Sequence, residues 1–141
     1  MNIQGFQKLT LLDFPGRTAC TVFTGGCNLR CPFCHNAGLV RTPLAQPSLT
    51  DEVLTYLARR QGILDGVCVT GGEPTLHKEL PEFLSRIKAM GFAVKLDTNG
   101  THPDRLRAVI DKGLCDYVAM DIKNSPARYP ETVEISGFDV S

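Results

Sequence analysis

Four short segments of the chain are rich in apolar and β-forming residues, and each is bounded by turn-forming residues. They predict strands over 17–23, 66–70, 92–97 and 116–121. The segment 66–70 is almost wholly apolar, which is typical of a buried parallel strand. Residues 1–16, which precede these segments, show no clear periodicity, and we expect an irregular lead-in there.

Three longer segments carry apolar residues three and four positions apart, which predicts helices. The first covers 50–60, with Asp51 and Glu52 in its first turn. The second has an apolar face from Leu80 to Met90, and the third opens at Pro103 and closes before Gly113. The segment 36–48 that precedes the first helix is expected to be a linker.

Strands and helices alternate, which is typical of an α/β fold with a parallel sheet and crossover helices. We expect one domain over residues 1–141, with a core over 17–123 and an irregular tail over 124–141. Within that tail, the alternation of residues 131–135 could also form an additional strand beside the fourth one.

Residues with chemical potential follow the carboxyl end of every predicted strand, where ligands bind in parallel α/β folds. A loop over residues 27–35, which we call the cysteine loop, follows the first strand. The other three strands are followed by Gly71-Gly72-Glu73-Pro74, by Asp97-Thr98-Asn99 and by Asp121-Ile122-Lys123. The motifs and the topology therefore point to one site at this edge of the sheet.

Composition narrows the class of protein. The chain has 141 residues, with fifteen acidic and fifteen basic side chains, which argues against a nucleic-acid or membrane surface based on net charge. No apolar run approaches the roughly 18 residues of a membrane span. The amino terminus lacks the basic and apolar regions of a signal peptide. We therefore expect a cytoplasmic protein, where clustered cysteines bind metal more often than they pair.

The cysteine loop places three thiols, Cys27, Cys31 and Cys34, within eight residues. Converging thiolates select soft metals, zinc or iron–sulfur clusters, and no fourth cysteine follows at ligand spacing. Three other interpretations remain open: zinc with His35 as the fourth ligand, a redox pair of Cys31 and Cys34, and unrelated core thiols. The remaining cysteines, Cys20, Cys68 and Cys115, are expected to be structural.

The C-x3-C-x2-C spacing with Phe33 before its last cysteine resembles the radical S-adenosylmethionine superfamily. Gly71-Gly72-Glu73-Pro74 is similar to a second motif of that superfamily. The segments 11–16 and 23–36 resemble the activating proteins of anaerobic ribonucleoside-triphosphate reductase, which are related to pyruvate formate-lyase activases. Longer members of that branch contain further strand–helix units, so we expect a partial (β/α) barrel truncated at its carboxyl terminus.

The resemblance implies a [4Fe–4S] cluster held by Cys27, Cys31 and Cys34, with S-adenosylmethionine bound at the iron that lacks a thiolate. It further implies a monovalent cation beside the cofactor carboxylate, held by two aspartates and a threonine. The cofactor-binding positions that it implies are Phe33, Gly71, Gly72, Glu73, Asp97, Thr98, Asp121 and Lys123.

The implied activity is that of an oxidoreductase that cleaves S-adenosylmethionine reductively and generates a glycyl radical on a partner enzyme. The implied partners are anaerobic ribonucleotide reductase and an electron donor of the flavodoxin or ferredoxin type. Two alternatives stay open: another radical enzyme, either a pyruvate formate-lyase-type activase or one that acts on a small molecule, and a zinc-binding module without enzymatic activity.

Overall fold

Five strands form a single sheet in the computed structural model, which describes residues 1–34, 36–38, 47–133 and 135. The strands lie side by side in chain order, and β1 is antiparallel to β2 while the other neighbours are parallel. Their bounds are β1 Ile3–Thr10, β2 Ala19–Thr24, β3 Gly66–Gly71, β4 Ala93–Thr98 and β5 Tyr117–Met120. The four predicted strands are therefore confirmed within a few residues.

Helices connect the parallel strands as the apolar spacing predicts. The described helices are α1 Thr50–Ala58, α2 Leu80–Ala89, α3 Pro103–Asp111 and α4 Tyr129–Val133, with 3-10 turns at Pro74–Leu76 and Pro126–Arg128. The sheet with its crossover helices is the expected α/β partial barrel. None of the helices in the described part of the chain is long and apolar enough to cross a membrane.

The two faces of the sheet differ in polarity because successive side chains of a strand point to opposite faces. The face toward the helices is apolar: Val22, Val69 and Leu96 pack with Leu57 and Leu84 in the main core. On the opposite face, paired register places Thr21, Cys68, Lys95 and Tyr117 in one row across four strands. This second face is the polar interior of the partial barrel.

The lead-in over residues 1–16 is not irregular, because Ile3–Thr10 forms β1 and extends the sheet beside β2. The pairing of β1 and β2 shifts register between Ile3 and Gly5 and again between Gln7 and Thr10. Each shift interrupts the period-two alternation that marks a strand in a sequence. The prediction of an irregular lead-in was wrong because β1 lacks the regular alternation by which a strand is recognised.

The tail over residues 124–141 was also predicted to be irregular, and its described part is not. It contains the 3-10 turn Pro126–Arg128 and the helix α4, so a strand over 131–135 does not form. Glu134, residues 136–141, His35 and residues 39–46 of the predicted linker lie outside the described residues.

Candidate functional site

A cavity of about 410 Å³ lies at the carboxyl ends of β2 to β5, where the sequence predicts the site. The three cysteines of the cysteine loop line it together with residues that follow the next three strands. Those predicted positions in its lining are Phe33, Gly71, Gly72, Asp97, Thr98, Asp121 and Lys123. The structure therefore brings together all predicted site residues except Glu73 in one cavity.

The three cysteines of the cysteine loop all line the cavity. Cys31 is buried, and Cys27 and Cys34 are half-buried. Among the described residues, no group of three or more His, Cys, Asp or Glu side chains is placed to hold a single metal ion. A single zinc would draw its thiolates to within about 4 Å of one another, since each Zn–S bond is about 2.3 Å. The described side chains therefore do not form a site for a single ion, and the zinc interpretation that includes His35 lies outside them.

The other three cysteines do not line the cavity. Cys20 is fully buried in the main core, and burial raises the pKa of its thiol to about 12. Cys68 is also fully buried, but on the polar face, where its Sγ lies 3.7 Å from Asp97 Oδ2. Burial, reinforced by the Asp97 carboxylate, raises its pKa to about 12 as well. Both thiols stay protonated at neutral pH and are poor metal ligands.

Gly71 and Gly72 let the loop after β3 approach the start of the cysteine loop. Gly71 has a φ of 113°, and a Cβ there would collide with the backbone of Thr24. A Cβ on Gly72 would collide with the carbonyl of Gly26. The Gly26 carbonyl also accepts the backbone N–H of Glu73 at 2.9 Å. Glycine at these positions therefore sets the distance between two walls of the cavity.

We expect Gly72→Ala to destabilise the chain by about 1–3 kcal/mol, because the added methyl group separates two hydrogen-bonded backbones. Chemical denaturation of the metal-free chain measures this change. Gly38→Ala is the control, since no atom lies within 4 Å of a Cβ at that exposed helical position, and it should not destabilise the chain because alanine favours a helix. Equal stability of the two variants would contradict the close approach.

Glu73 is fully buried and lies behind the cavity wall. Its Oε1 accepts hydrogen bonds from the backbone N–H of Thr75 at 3.1 Å, from the Thr75 hydroxyl at 2.5 Å and from the Thr98 hydroxyl at 2.7 Å. Its Oε2 accepts the backbone N–H of Asn99 at 2.7 Å. The carboxylate thus joins the loops after β3 and β4, while its predicted contact with a cofactor stays a prediction.

The carboxylates predicted to hold a monovalent cation already have cationic partners. Lys95 Nζ lies 2.7 Å from Asp97 Oδ1, and Lys123 Nζ lies 3.1 Å from Asp121 Oδ2. Burial alone would lower the pKa of Lys95, but its hydrogen bond to Asp97 and the surrounding negative charges raise it overall. The side chain of Asp121 is 76% exposed. The described residues give the predicted cation no support.

Phe33 stands at the rim of the cavity and is 53% exposed. The Lys123 ammonium lies 5.7 Å from the centre of its ring, which is within the range of a cation–π contact. An exposed aromatic ring beside an open cavity offers a flat surface on which a planar ligand can stack.

The helix α4, which the sequence did not predict, packs against the cysteine loop. Tyr129 and Val133 pack against Leu29 and Cys31 in a small buried cluster. The Val133 carbonyl accepts the backbone N–H of Arg30 at 2.9 Å, and the Tyr129 hydroxyl accepts that of Lys123 at 3.1 Å. The spacing of Tyr129 and Val133 by four residues is a signal for the helix itself, but it does not reveal the distant residues against which the helix packs.

The fold is an α/β partial barrel, and its cavity is lined by three thiols. Proteins of this class are suited to binding a metal cluster. The model of the radical SAM superfamily matches residues 21–137. The chain belongs to this superfamily, whose members use a [4Fe–4S] cluster and S-adenosylmethionine in enzymatic radical chemistry.

Two relatives show how the chain compares with longer proteins. It is 34% identical over 136 residues to a Methanocaldococcus jannaschii protein provisionally named a glycyl-radical enzyme activating enzyme, covering 94% of this chain and 54% of that protein. It is also 34% identical over 119 residues to the 7-carboxy-7-deazaguanine synthase of Hyperthermus butylicus, covering 83% and 48%. The chain spans about half the length of these relatives.

A solved structure supports the fold. The crystal structure of QueE from Escherichia coli matches with a TM-score of 0.51 and 24% sequence identity, covering 72% of this chain and 51% of that one. At this identity the likeness concerns the arrangement of strands and helices alone.

Proposed function

We propose that this chain is a glycyl-radical activase that acts on anaerobic ribonucleoside-triphosphate reductase, with a flavodoxin or ferredoxin as electron donor. The observation that carries the proposal is the cavity in which Cys27, Cys31 and Cys34 face the glycine loop after β3. Similarity to the M. jannaschii protein over 94% of the chain supports the activase assignment. The lead-in over 11–16 supports the reductase as partner.

The residues around the cavity fit the implied cofactors. Three soft thiol ligands in the lining of one cavity suit an iron–sulfur cluster in which each thiolate binds a different iron. The volume of about 410 Å³ lies within the roughly 300–1,000 Å³ of small-molecule sites. No other cysteine of the chain lines the cavity, so one iron would have no thiolate from the described residues.

When bound, S-adenosylmethionine at the reduced cluster supplies a 5′-deoxyadenosyl radical. The chain's own residues bind and orient the cofactor. The carbonyl groups near Gly71 and Gly72 can accept hydrogen bonds from an amine. Phe33 offers a ring on which the adenine can stack, and Thr98 and Asp97 line the same cavity. Lys123, also in the lining, would attract the carboxylate of a bound ligand.

A second candidate function is radical chemistry on a small molecule, which the similarity to 7-carboxy-7-deazaguanine synthase favours. Electron paramagnetic resonance separates the two candidates. The reduced, iron-loaded chain is mixed anaerobically with S-adenosylmethionine and the reductase. We expect a glycyl-radical signal on the reductase that requires the cofactor. Cleavage of S-adenosylmethionine without that signal would contradict the proposed partner and favour a small-molecule substrate.

We expect S-adenosylmethionine binding to change by less than about twofold when potassium and sodium are replaced by tetramethylammonium. The reason is that Asp97 and Asp121 are already neutralised by Lys95 and Lys123. Isothermal titration of the loaded chain measures the affinity. Lys95→Gln should make binding depend on these cations, while Lys88→Gln, which alters a half-exposed pair with Asp116, should not. Tenfold weaker binding by the unsubstituted chain without small cations would contradict this explanation.

A further inference from the structure

We propose that the side-chain amide of Asn99 raises the reduction potential of the iron–sulfur cluster by donating a hydrogen bond to the Cys27 thiolate. This inference rests on the proposed function, because it takes Cys27 to be a cluster ligand. Asn99 follows β4 and lines the same cavity as Cys27. Its Nδ2 lies 3.6 Å from the Cys27 Sγ, which is a hydrogen-bonding distance for sulfur.

The hydrogen bonds of Asn99 permit only one orientation of its amide. Its Oδ1 accepts the backbone N–H of Thr101 at 3.1 Å and the Thr101 hydroxyl at 2.7 Å. Because a backbone N–H can only donate, the amide oxygen must face Thr101 and the NH2 group must face the cysteine loop. The NH2 group has two hydrogens and two acceptors there, Cys27 Sγ and Asn28 Oδ1, the latter at 3.1 Å.

Hydrogen bonds of the surrounding backbone and side chains also hold Asn99 in place. The backbone N–H of Asn99 donates to the buried Glu73 carboxylate at 2.7 Å. On the other side, Asn28 Nδ2 donates to the Thr101 hydroxyl at 2.8 Å, which connects the cysteine loop to the loop after β4. A donor fixed in this way needs no rearrangement when the charge on the sulfur changes.

Reduction adds negative charge to a cluster, and part of that charge lies on the thiolate sulfurs. Hydrogen-bond donors to those sulfurs stabilise the reduced state and raise the potential. Among the described residues, two such donors reach the Cys27 sulfur: the Asn99 amide and the backbone N–H of Leu29, the latter at 3.3 Å. The side-chain donor is the one that a substitution can remove.

Redox titration of the reconstituted full chain, without S-adenosylmethionine, tests the proposal. At the potential where half of the unsubstituted chain is reduced, Asn99→Ala should lower the ratio of reduced to oxidised cluster about tenfold, or about 59 mV for one electron. Asn99→Asp keeps the oxygen that faces Thr101 and replaces the donor with an acceptor, so its potential should fall at least as far.

The control is Asn36→Ala. Asn36 lines the same cavity, but its Nδ2 donates to the Gly71 carbonyl at 3.1 Å, so the potential should not change. Unchanged potentials in both Asn99 variants, an equal fall in Asn36→Ala, or loss of the cluster from both Asn99 variants would overturn the inference alone. Failure of the unsubstituted chain to take up a cluster would overturn the proposed function, and this inference with it.

Discussion

We expect serine substitution of Cys27, Cys31 or Cys34 to abolish the visible iron–sulfur absorbance of the anaerobically reconstituted chain. All three thiols line the cavity, and no other cysteine does. A hydroxyl is a hard ligand that does not replace a thiolate on iron–sulfur iron. Each single variant should therefore lose the cluster, which absorption spectroscopy and iron analysis measure directly.

Matched controls come from the same chain. Cys20→Ala and Cys68→Ala change thiols that are fully buried in the strands, and Cys115→Ser changes one outside the cavity. All three variants should keep the absorbance of the unsubstituted chain. If Cys68→Ala lost the cluster while its circular dichroism stayed native, the assignment of the three ligands would be wrong.

Glu73→Ala should destabilise the metal-free chain by about 3–5 kcal/mol, comparable to breaking a buried charged network. The substitution leaves four hydrogen-bond donors without their acceptor: the N–H and hydroxyl of Thr75, the hydroxyl of Thr98 and the N–H of Asn99. Each unsatisfied buried donor costs about 1–3 kcal/mol before relaxation. Urea denaturation, with the free energy of unfolding extrapolated to water, measures the loss.

The control for Glu73 is Glu82→Ala, which changes an exposed glutamate in the first turn of α2. Its effect should stay below about 0.5 kcal/mol. Because Glu73 joins the loops that carry Gly72 and Asn99, we also expect Glu73→Ala to load iron poorly. Equal unfolding free energies for Glu73→Ala and Glu82→Ala would show that the carboxylate does not hold these loops together.

The core of the fold could be predicted because its signals are local. β3 is almost wholly apolar, as buried parallel strands are, and β4 is a short segment rich in apolar and β-forming residues between turn-forming residues. The helices α1 to α3 each carry an apolar stripe, and Pro103 marks the start of α3. The alternation of strands and helices then predicted that Gly71 and Asp97 lie at the same edge of the sheet.

β1 and α4 could not be predicted in the same way. β1 has two register shifts against β2, so its inward and outward residues do not alternate regularly. α4 is only five residues long, and helices of that length are stabilised by packing rather than by their own propensity. Its packing partners, Leu29 and Cys31, lie about a hundred residues earlier in the chain, beyond the range of any local pattern.

The site shows the same division between local and distant information. Cys27, Cys31 and Cys34 are recognisable from their spacing within one loop. The hydrogen bonds by which Glu73 joins two loops depend on where Thr98 and Asn99 lie after folding, which the motif alone does not show. The pairing of Lys95 with Asp97, by contrast, is local, because side chains two residues apart on a strand lie on the same face.

We expect three thiolates to hold a four-iron cluster with one iron open to S-adenosylmethionine. Electron paramagnetic resonance of the anaerobically reconstituted and reduced chain, before and after adding the cofactor, can test this arrangement. We expect about four iron atoms per chain and a cluster signal that changes when S-adenosylmethionine is added. One zinc per chain after anaerobic purification, or a cluster signal unchanged at saturating cofactor, would contradict the claim.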